Sequence, residues 1–522
     1  MSINLKALIK IPNLKQKQVQ QAIISICYMA TRKSKIVHFN IEAKRPDIKP
    51  KYENFDNTER DDHSEVHHSF ESRKAPAFDE AIEKFEDEES QITAVSADES
   101  RPKKSSLIPS GTITSSTITL VSTSLGVGVL ALPYAIHQAG LINGIVALVC
   151  GGLITWWFLY VLVEASFNIG ASGYAETIAK TFGKGGSRLF QIFFIVYVIG
   201  CLINYQITTA SFMASMLARW GYFVEDAIYA QTHFTHFRVI IIVACNLLCI
   251  FPVSLAKSMY RLRHITVVIF GVVIYTLAVV ILQAPKYVHH ATETHQGILW
   301  YCLNPTIFST FAVMIFAYNC NTNLFPIRME LAAPTEDRMK KICNRTIATD
   351  ILIYAAMSVV AYLSFRDETT PLITNRPPLP ETNDIYMDIS RVMLCFSVMF
   401  SVAIRVHPCR QQIVLFFGLE NKYNNYLHFF ITFMLIASSA VIAMIFPSVY
   451  DSFTILGGYG TTLIGIFIPA IVFLKSVRGP RPICKIIITC LLMAVGTIMG
   501  FTAATFTLLK QLDIYTVPPC EA

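Results

Sequence analysis

Charged residues are scarce in this chain, and those present are unevenly placed. The chain has 43 Lys and Arg residues and 36 Asp and Glu residues, or 15% of its 522 residues, whereas roughly 25% is usual for soluble domains. Eighteen residues of each sign lie within residues 1–107. The rest of the chain is therefore too apolar for a set of soluble domains, although its length would allow three or four. We predict an all-α polytopic membrane protein.

Several motifs of enzymes and nucleotide-driven proteins are also missing. The 13 cysteines form no CxxC pair and no metal-ligand spacing, so most are interpreted as small buried hydrophobic residues. No GxxxxGK[ST] loop for ATP occurs, and no cluster of His, Asp, Cys or Ser suggests hydrolysis or acyl transfer. No charged ring typical of a channel filter is visible. We therefore expect no enzyme activity, no cofactor, no metal and no nucleic-acid partner.

Residues 1–107 form a separate N-terminal segment with few apolar clusters and several charge runs. Such a segment buries too little apolar area to offset the entropy lost on ordering, so it is predicted to be a disordered cytoplasmic tail. Its short apolar run, 22–30, follows basic residues as in a signal peptide, but it lacks a cleavage site and is too short to span. Residues 108–512 are predicted to form the transmembrane domain, and 513–522 a short outer or luminal C-terminus.

Eleven apolar runs are long enough to cross a bilayer as helices of about 20 residues. The predicted spans are 113–136, 142–165, 189–218, 237–254, 263–283, 305–326, 344–365, 386–406, 427–447, 452–475 and 483–509. With the tail inside, the inner segments hold 21 Lys and Arg residues and the outer segments hold 7. This bias obeys the positive-inside rule, and it supports both the count of eleven and the cytoplasmic N-terminus.

The first and sixth spans carry residues that are costly in the middle of a bilayer. The first is rich in hydroxyls and glycines over 119–128, and the sixth contains Asn319, Asn321 and Asn323. Such groups must face protein or water. Discontinuous helices in corresponding positions of two five-helix halves mark the binding site of many transporters. Close helix packing by small residues remains the alternative, above all for the first span.

Four motifs resemble the amino acid/auxin permease family, two on the first and sixth spans, one after the eighth span and one in the tenth. They are Gly126–Tyr134, Cys320–Leu331, His407–Arg410 and Leu456–Pro469, and the resemblance covers roughly residues 110–510. It implies an APC or LeuT-like fold of five plus five inverted helices, here with one extra helix. It also implies transport of free neutral or cationic amino acids by alternating access, coupled to a proton or sodium gradient.

This chain departs from the family pattern at two positions. Many relatives carry a histidine at the position of Asn321 and an asparagine at the position of Ser122. A proton-coupling role for that histidine is therefore not carried over to this chain.

A free amino acid carries a carboxylate and an ammonium group, and broken helices offer partners for both. A half-helix N-terminus presents N–H groups to the carboxylate, while unwound carbonyls and hydroxyls suit the ammonium. The predicted substrate-binding residues are Ser122, Thr123, Gly126, Val127, Gly128, Asn204, Tyr318, Asn319 and Asn321. In the third span, one of Asn204, Tyr205 and Gln206 is expected to face the site. Asn204 is favoured, with a structural hydrogen bond as the alternative.

The sequence leaves both a proton and sodium open as the coupling ion, and the candidate cation ligand lies in the eighth span. Ser401 matches a position where sodium-coupled relatives carry a hydroxyl, and with span-one carbonyls it would form an oxygen-lined cation site. A packing serine is the alternative. A proton site would need a titratable group at the membrane centre, where none is expected. The candidates are all placed near cytoplasmic helix ends: Glu164, Glu330, Asp350 and His407.

The remaining expectations concern partners and location. The protein is expected to act as a monomer in the plasma membrane or in a vacuolar or lysosomal membrane, in contact with lipid, an amino acid substrate and a coupling cation. The alternative function is an amino acid sensor of the same fold that signals through its N-terminal tail.

Overall fold

The computed structural model describes most of the chain beyond the predicted tail. The described residues are 111–222, 235–256, 259–376, 379, 384–419, 422–446, 448–476, 483–512 and 514–515. The predictions for the tail, and for nearly all of the outer C-terminus, lie outside these residues. The described part of the chain is entirely helix and loop, without β-strands.

Thirteen α-helices build the described domain. In chain order they are α1 (Ile113–Ser124), α2 (Gly128–Ala139), α3 (Leu141–Ile169), α4 (Tyr174–Arg219), α5 (His236–Ser254), α6 (Met259–Glu293), α7 (Thr306–Ala317), α8 (Asn321–Glu330), α9 (Glu336–Phe365), α10 (Ile385–Phe417), α11 (Asn425–Ile445), α12 (Val449–Lys475) and α13 (Ile483–Gln511). Helices α5 and α12 contain π-helical stretches, and α4 is kinked at Gly183.

Among the described residues, nine helices are long and apolar enough to cross a membrane alone. Helices α1 and α2, bent by 54° at their junction, make a tenth span when taken together. The predicted sixth span corresponds to α7 and α8, which are separated by Tyr318, Asn319 and Cys320. The structure thus shows a polytopic all-α protein, whereas the total of eleven and the inverted repeat remain predictions.

Short polar side chains begin several of these helices. Thr112, Thr335 and Asn424 accept hydrogen bonds from backbone N–H groups in the first turns of α1, α9 and α11, which satisfies donors that have no partner within the helix. Gly170 and Gly418 end α3 and α10 in the left-handed conformation, which glycine adopts without strain. The apolar spans therefore begin and end at ordinary capping signals.

Helix α9 and the two interrupted spans form the centre of the domain. Helix α2 packs against α7, α1 packs against α8, and α9 packs against α1, α2 and α3. Close approach of α2 and α7 requires a residue without a side chain, since a Cβ atom on Gly128 would lie 2.9 Å from Cα of Ala317. The two breaks are consequently held beside one another.

Two charged residues lie elsewhere than the sequence predicts. Asp350, expected near a cytoplasmic helix end, is fully buried in α9 and contacts Ser124 at the end of α1. Arg405, counted among the inner flanking charges, is buried in α10 against Thr123 and Tyr205. Both assignments were wrong because charges inside a span are tolerated where protein groups pair with them, and the sequence does not show those partners.

Candidate functional site

The break in the first span is three residues long. Helix α1 ends at Ser124 and α2 begins at Gly128, and the N–H of Gly126 donates to the carbonyl of Ser124 over 2.7 Å. A Cβ atom on Gly126 would lie 2.4 Å from the hydroxyl of Tyr205 on α4. Glycine at this position therefore lets the third span reach the break.

The break in the sixth span exposes three asparagines to the protein interior. Among the residues that the structure describes, both side-chain polar atoms of Asn319 lack a hydrogen-bond partner, as do Oδ1 of Asn321, Oδ1 of Asn323 and the hydroxyl of Tyr318. All four residues are at least 97% buried. A buried polar group without a partner costs about 1–3 kcal/mol, so a cluster of them indicates a place where a polar ligand or water binds.

Tyr354 on α9 connects the two breaks. Its hydroxyl lies 2.8 Å from the carbonyl oxygen of Ser124 and 2.8 Å from that of Ala317. These are the last residues of α1 and α7. The ring of Tyr354 also packs 4.9 Å from that of Tyr318. One side chain thus joins the ends of both half-helices through carbonyl groups that the helical ladder leaves available.

Asp350 lies one turn before Tyr354 on the same face of α9. Its Oδ2 atom is 2.6 Å from the hydroxyl of Ser124, and that hydroxyl is 2.8 Å from the carbonyl oxygen of Val121. Oδ1 of Asp350 has no hydrogen-bond partner. Within the part of the chain that the structure describes, no Lys, Arg or His nitrogen lies within 4.0 Å of this carboxyl group.

Arg405 approaches the first break from α10. Its Nε donates to the hydroxyl of Tyr205 over 3.1 Å, and its Nη2 lies 3.4 Å from the carbonyl oxygen of Thr123. The guanidinium carbon also sits 5.1 Å from the centre of the Tyr205 ring. The sequence contained one signal of this role, because Arg405 interrupts an otherwise apolar span.

The predicted substrate-binding residues of the first span lie at this break. The hydroxyls of Ser122 and Thr123 donate to the carbonyls of Ile118 and Leu120 in their own helix. This is compatible with the alternative that the first span is rich in small polar residues for helix packing. The backbone carbonyls of Ser122 and Thr123 remain next to the break together with Gly126, Val127 and Gly128. Binding by these residues stays a prediction.

The three polar residues of the third span point to three different sides. Asn204 donates to the carbonyl of Ser452 on α12, and Gln206 donates to the hydroxyl of Ser439 on α11. Tyr205 alone reaches Gly126 and Arg405. The structure therefore brings Tyr205 to the break and gives Asn204 the structural hydrogen bond that was its alternative.

Ser401, the predicted cation ligand, lies one turn before Arg405 on α10. Its hydroxyl donates to the carbonyl of Ser397 over 2.8 Å, which is the contact expected of a packing serine. The span-one carbonyl of Thr123, a candidate partner for a cation, already contacts the guanidinium of Arg405.

Comparisons with known proteins agree on one class. Residues 109–510 match the family model described as transmembrane amino acid transporter protein. A protein of Toxoplasma gondii named as a candidate amino acid transporter is 26% identical over 301 residues, which is 58% of this chain but only 40% of that relative. A mouse protein named as a candidate sodium-coupled neutral amino acid transporter is 23% identical over 74% of this chain and 83% of its own length. A vacuolar amino acid transporter of Saccharomyces cerevisiae is 24% identical over 59% and 68% respectively.

Proposed function

The chain belongs to the transmembrane amino acid transporter family, and on that basis we propose that it is a secondary active transporter of free amino acids that works by alternating access. The observation that carries this proposal is the pair of broken spans, whose ends meet at Tyr354 beside a cluster of buried, unpartnered amide groups. Such breaks typically form the fixed site of a secondary transporter, around which one helix bundle rocks against the other during alternating access.

The substrate binds between the two breaks. Its carboxylate lies beside Gly126 at the N-terminus of α2, where Val127 and Gly128 supply N–H groups and a positive dipole end. The N–H of Gly126 itself already donates to the carbonyl of Ser124. Arg405 places a positive charge on the same side through its contact with Thr123. The ammonium group lies toward the amide oxygens of Asn319 and Asn321 in the sixth span, which are buried and without partners.

The coupling ion is a proton rather than sodium. A sodium ion bound to the carbonyl of Thr123 would lie close to the guanidinium of Arg405, which contacts the same oxygen. Repulsion between two unit charges about 6 Å apart is roughly 3 kcal/mol at an effective dielectric constant of about 20. Such a penalty lowers the affinity for sodium by about two orders of magnitude. Ser401 is accordingly a packing residue.

The protein acts as a monomer with its N-terminal tail in the cytoplasm. The excess of basic residues in the inner segments supports this orientation. The excess remains when the buried Arg405 is no longer counted among the inner residues. Both a plasma membrane and a vacuolar or lysosomal membrane are compatible with the proposal.

The test is uptake of a panel of radiolabelled amino acids into proteoliposomes that contain the purified full-length protein, with sodium and pH gradients imposed separately. We expect saturable uptake of at least one amino acid, stimulated by a pH gradient and indifferent to sodium. Absence of uptake and of exchange for every amino acid in the panel would contradict the transport proposal.

A further inference from the structure

Asp350 is the one carboxyl group that the described structure places at the break of the first span, and it has no cation beside it. Resting on the proposed transport function, we propose that Asp350 binds the coupled proton and that Ser124 transmits its protonation state to the end of α1. Each transport cycle then loads one proton onto this carboxylate from one side of the membrane and releases it to the other side.

Burial makes the charged form of Asp350 costly. The residue is fully buried. Within the described part of the chain its Oδ1 has no partner, and its one hydrogen bond to a side chain comes from Ser124. Moving an isolated carboxylate away from water is expensive unless it is paired and hydrogen-bonded. A group in this setting changes its protonation when the local access of water or the nearby charge changes, which is what a carrier of one proton requires.

The geometry offers a distinct hydrogen-bond pattern for each protonation state. When Asp350 is protonated, its O–H donates to the hydroxyl oxygen of Ser124, and the Ser124 hydroxyl donates to the carbonyl of Val121, as the distances of 2.6 and 2.8 Å allow. When the proton leaves, the carboxylate accepts from Ser124 instead. The carbonyl of Val121 then loses the hydroxyl and keeps only the N–H of Leu125, which lies at 2.8 Å.

This exchange happens where α1 ends. The bond from Leu125 to Val121 is the last of the α1 ladder before Gly126, and the hydroxyl of Tyr354 lies at the carbonyl of Ser124 itself. A change in the donor to Val121 therefore alters the end of the half-helix that borders the first break. Protonation and the position of the break are coupled through one hydroxyl group.

The ionisable groups that face Asp350 are few. Tyr318 and Cys320 of the sixth-span break and Tyr354 of its own helix interact with it electrostatically. None of the three carries a positive charge in any state. Thr123, the residue before Ser124 in α1, contacts the cation Arg405 through its carbonyl. Asp350 is thus the acid that titrates in this cluster, with Arg405 as a fixed charge across α1.

The decisive experiment follows amino acid exchange and proton movement in the same proteoliposomes, with a trapped pH-sensitive dye and the amino acid found in the uptake panel. For one proton per substrate, a gradient of about one pH unit drives about tenfold accumulation. The variant Asp350→Asn keeps a donor for Ser124 and resembles the protonated state. We expect it to retain exchange in the absence of a gradient, but to lose both the proton flux and the tenfold accumulation.

Two further variants make the result specific. Glu176→Gln removes a carboxylate at the start of α4 that pairs with Lys180, and it should leave exchange and proton flux unchanged. Asp350→Glu keeps a titratable group, so it should retain proton flux with a shifted pH profile. If Asp350→Asn is monodisperse but lacks exchange, the proton flux of Asp350→Glu becomes the test. Proton flux in Asp350→Glu supports the assignment of Asp350 as the proton-binding residue, and its absence overturns that assignment.

The failure of this inference differs from the failure of transport. Wild-type protein that exchanges amino acids without moving protons overturns the role of Asp350 and leaves transport intact. The same holds if Asp350→Asn moves protons at the wild-type rate. Wild-type protein that exchanges no amino acid overturns the transport proposal itself.

Discussion

The hydroxyl oxygen of Tyr354 lies 2.8 Å from the backbone carbonyl oxygen of Ser124, the last residue of α1. The same hydroxyl is equally close to the carbonyl of Ala317, the last residue of α7. A single group thus ties together the ends of two half-helices that belong to different spans. Any movement of one break relative to the other must change this pair of contacts.

Replacement of Tyr354 by Phe removes the link and keeps the ring. Loss of a hydrogen bond of this kind costs about 0.5–1.5 kcal/mol, so we expect a modestly lower melting temperature and several-fold slower uptake with normal expression. Tyr459→Phe is the matched control, because among the described residues the Tyr459 hydroxyl of α12 has an exposed hydrogen bond to Thr505 of α13 and no other. Equal uptake by wild type and Tyr354→Phe would show that the link has no role in transport.

Replacement of Asn319 should affect transport without lowering the stability of the protein. Both polar atoms of its side chain are buried without a hydrogen-bond partner among the described residues, so Asn319→Ala removes a burial cost of about 1–3 kcal/mol and breaks no described hydrogen bond. We expect uptake to be abolished while the melting temperature stays the same or rises. Asn344→Ala, which removes only an exposed bond from Trp156, serves as control. Normal uptake by Asn319→Ala would remove the residue from the substrate site.

Gly126 is expected to tolerate no side chain while Tyr205 is present. A Cβ atom there would lie 2.4 Å from the Tyr205 hydroxyl, so Gly126→Ala should reduce the yield of monodisperse protein. The double variant with Tyr205→Phe should restore that yield, because the clashing oxygen is gone. Gly271→Ala meets nothing within 4 Å and should behave as wild type. An unimproved yield of the double variant would contradict the packing argument.

The interrupted spans could be predicted from residue type, whereas the charged partners could not. Glycine in the first span and asparagine in the sixth are unfavourable in a continuous lipid-facing helix, and both spans are indeed broken at those residues. Asp350 and Arg405 were misplaced because a charge near the end of an apolar run is most simply assigned to the membrane surface. Their true position depends on Ser124, Thr123 and Tyr205, which come from distant parts of the chain.

The choice among the polar residues of the third span could not be made from sequence for a related reason. In a helix that is apolar on every side, the pattern of apolar residues does not show which face packs against the protein. The sequence therefore does not show which residue points inward. Asn204 looked more like a ligand than Tyr205, but the neighbouring helices turn it toward Ser452. Only the packing of α4 against α10 and the first break selects Tyr205.

Arg405 makes sodium independence a direct expectation. Replacing sodium by choline should leave uptake unchanged, since a sodium ion near the Thr123 carbonyl would face the guanidinium there. A proton ionophore, by contrast, should abolish accumulation. Uptake would be measured in proteoliposomes at equal membrane potential. Stimulation of uptake by sodium would contradict both the assignment of Arg405 and the proton as coupling ion.

The segment that precedes α10 contains a buried ion pair whose contribution should depend on pH. Nη2 of Arg376 lies 2.9 Å from Oδ2 of Asp384, and Arg376 is 1% exposed at its side chain. Burial raises the pKa of Asp384, but the charge of Arg376 and hydrogen bonds from Gln283 and Arg376 outweigh it, so the pKa is lowered overall. A carboxyl group with a lowered pKa in the folded state stabilises the protein above its unfolded pKa. That contribution disappears as the pH falls through the folded value.

Asp384→Asn should therefore destabilise the protein at neutral pH, where it leaves Arg376 buried without its anion. Breaking a buried pair in this way costs about 3–5 kcal/mol. The difference in melting temperature between wild type and variant should shrink as the pH falls from the unfolded pKa of about 4 through the lower folded pKa, below which wild-type Asp384 is also neutral. Asp367→Asn, at an exposed position, should show no difference at any pH. The difference in melting temperature between wild type and Asp384→Asn could instead stay constant from neutral to acidic pH. That result would mean that packing, and not the charge of Asp384, holds this segment in place.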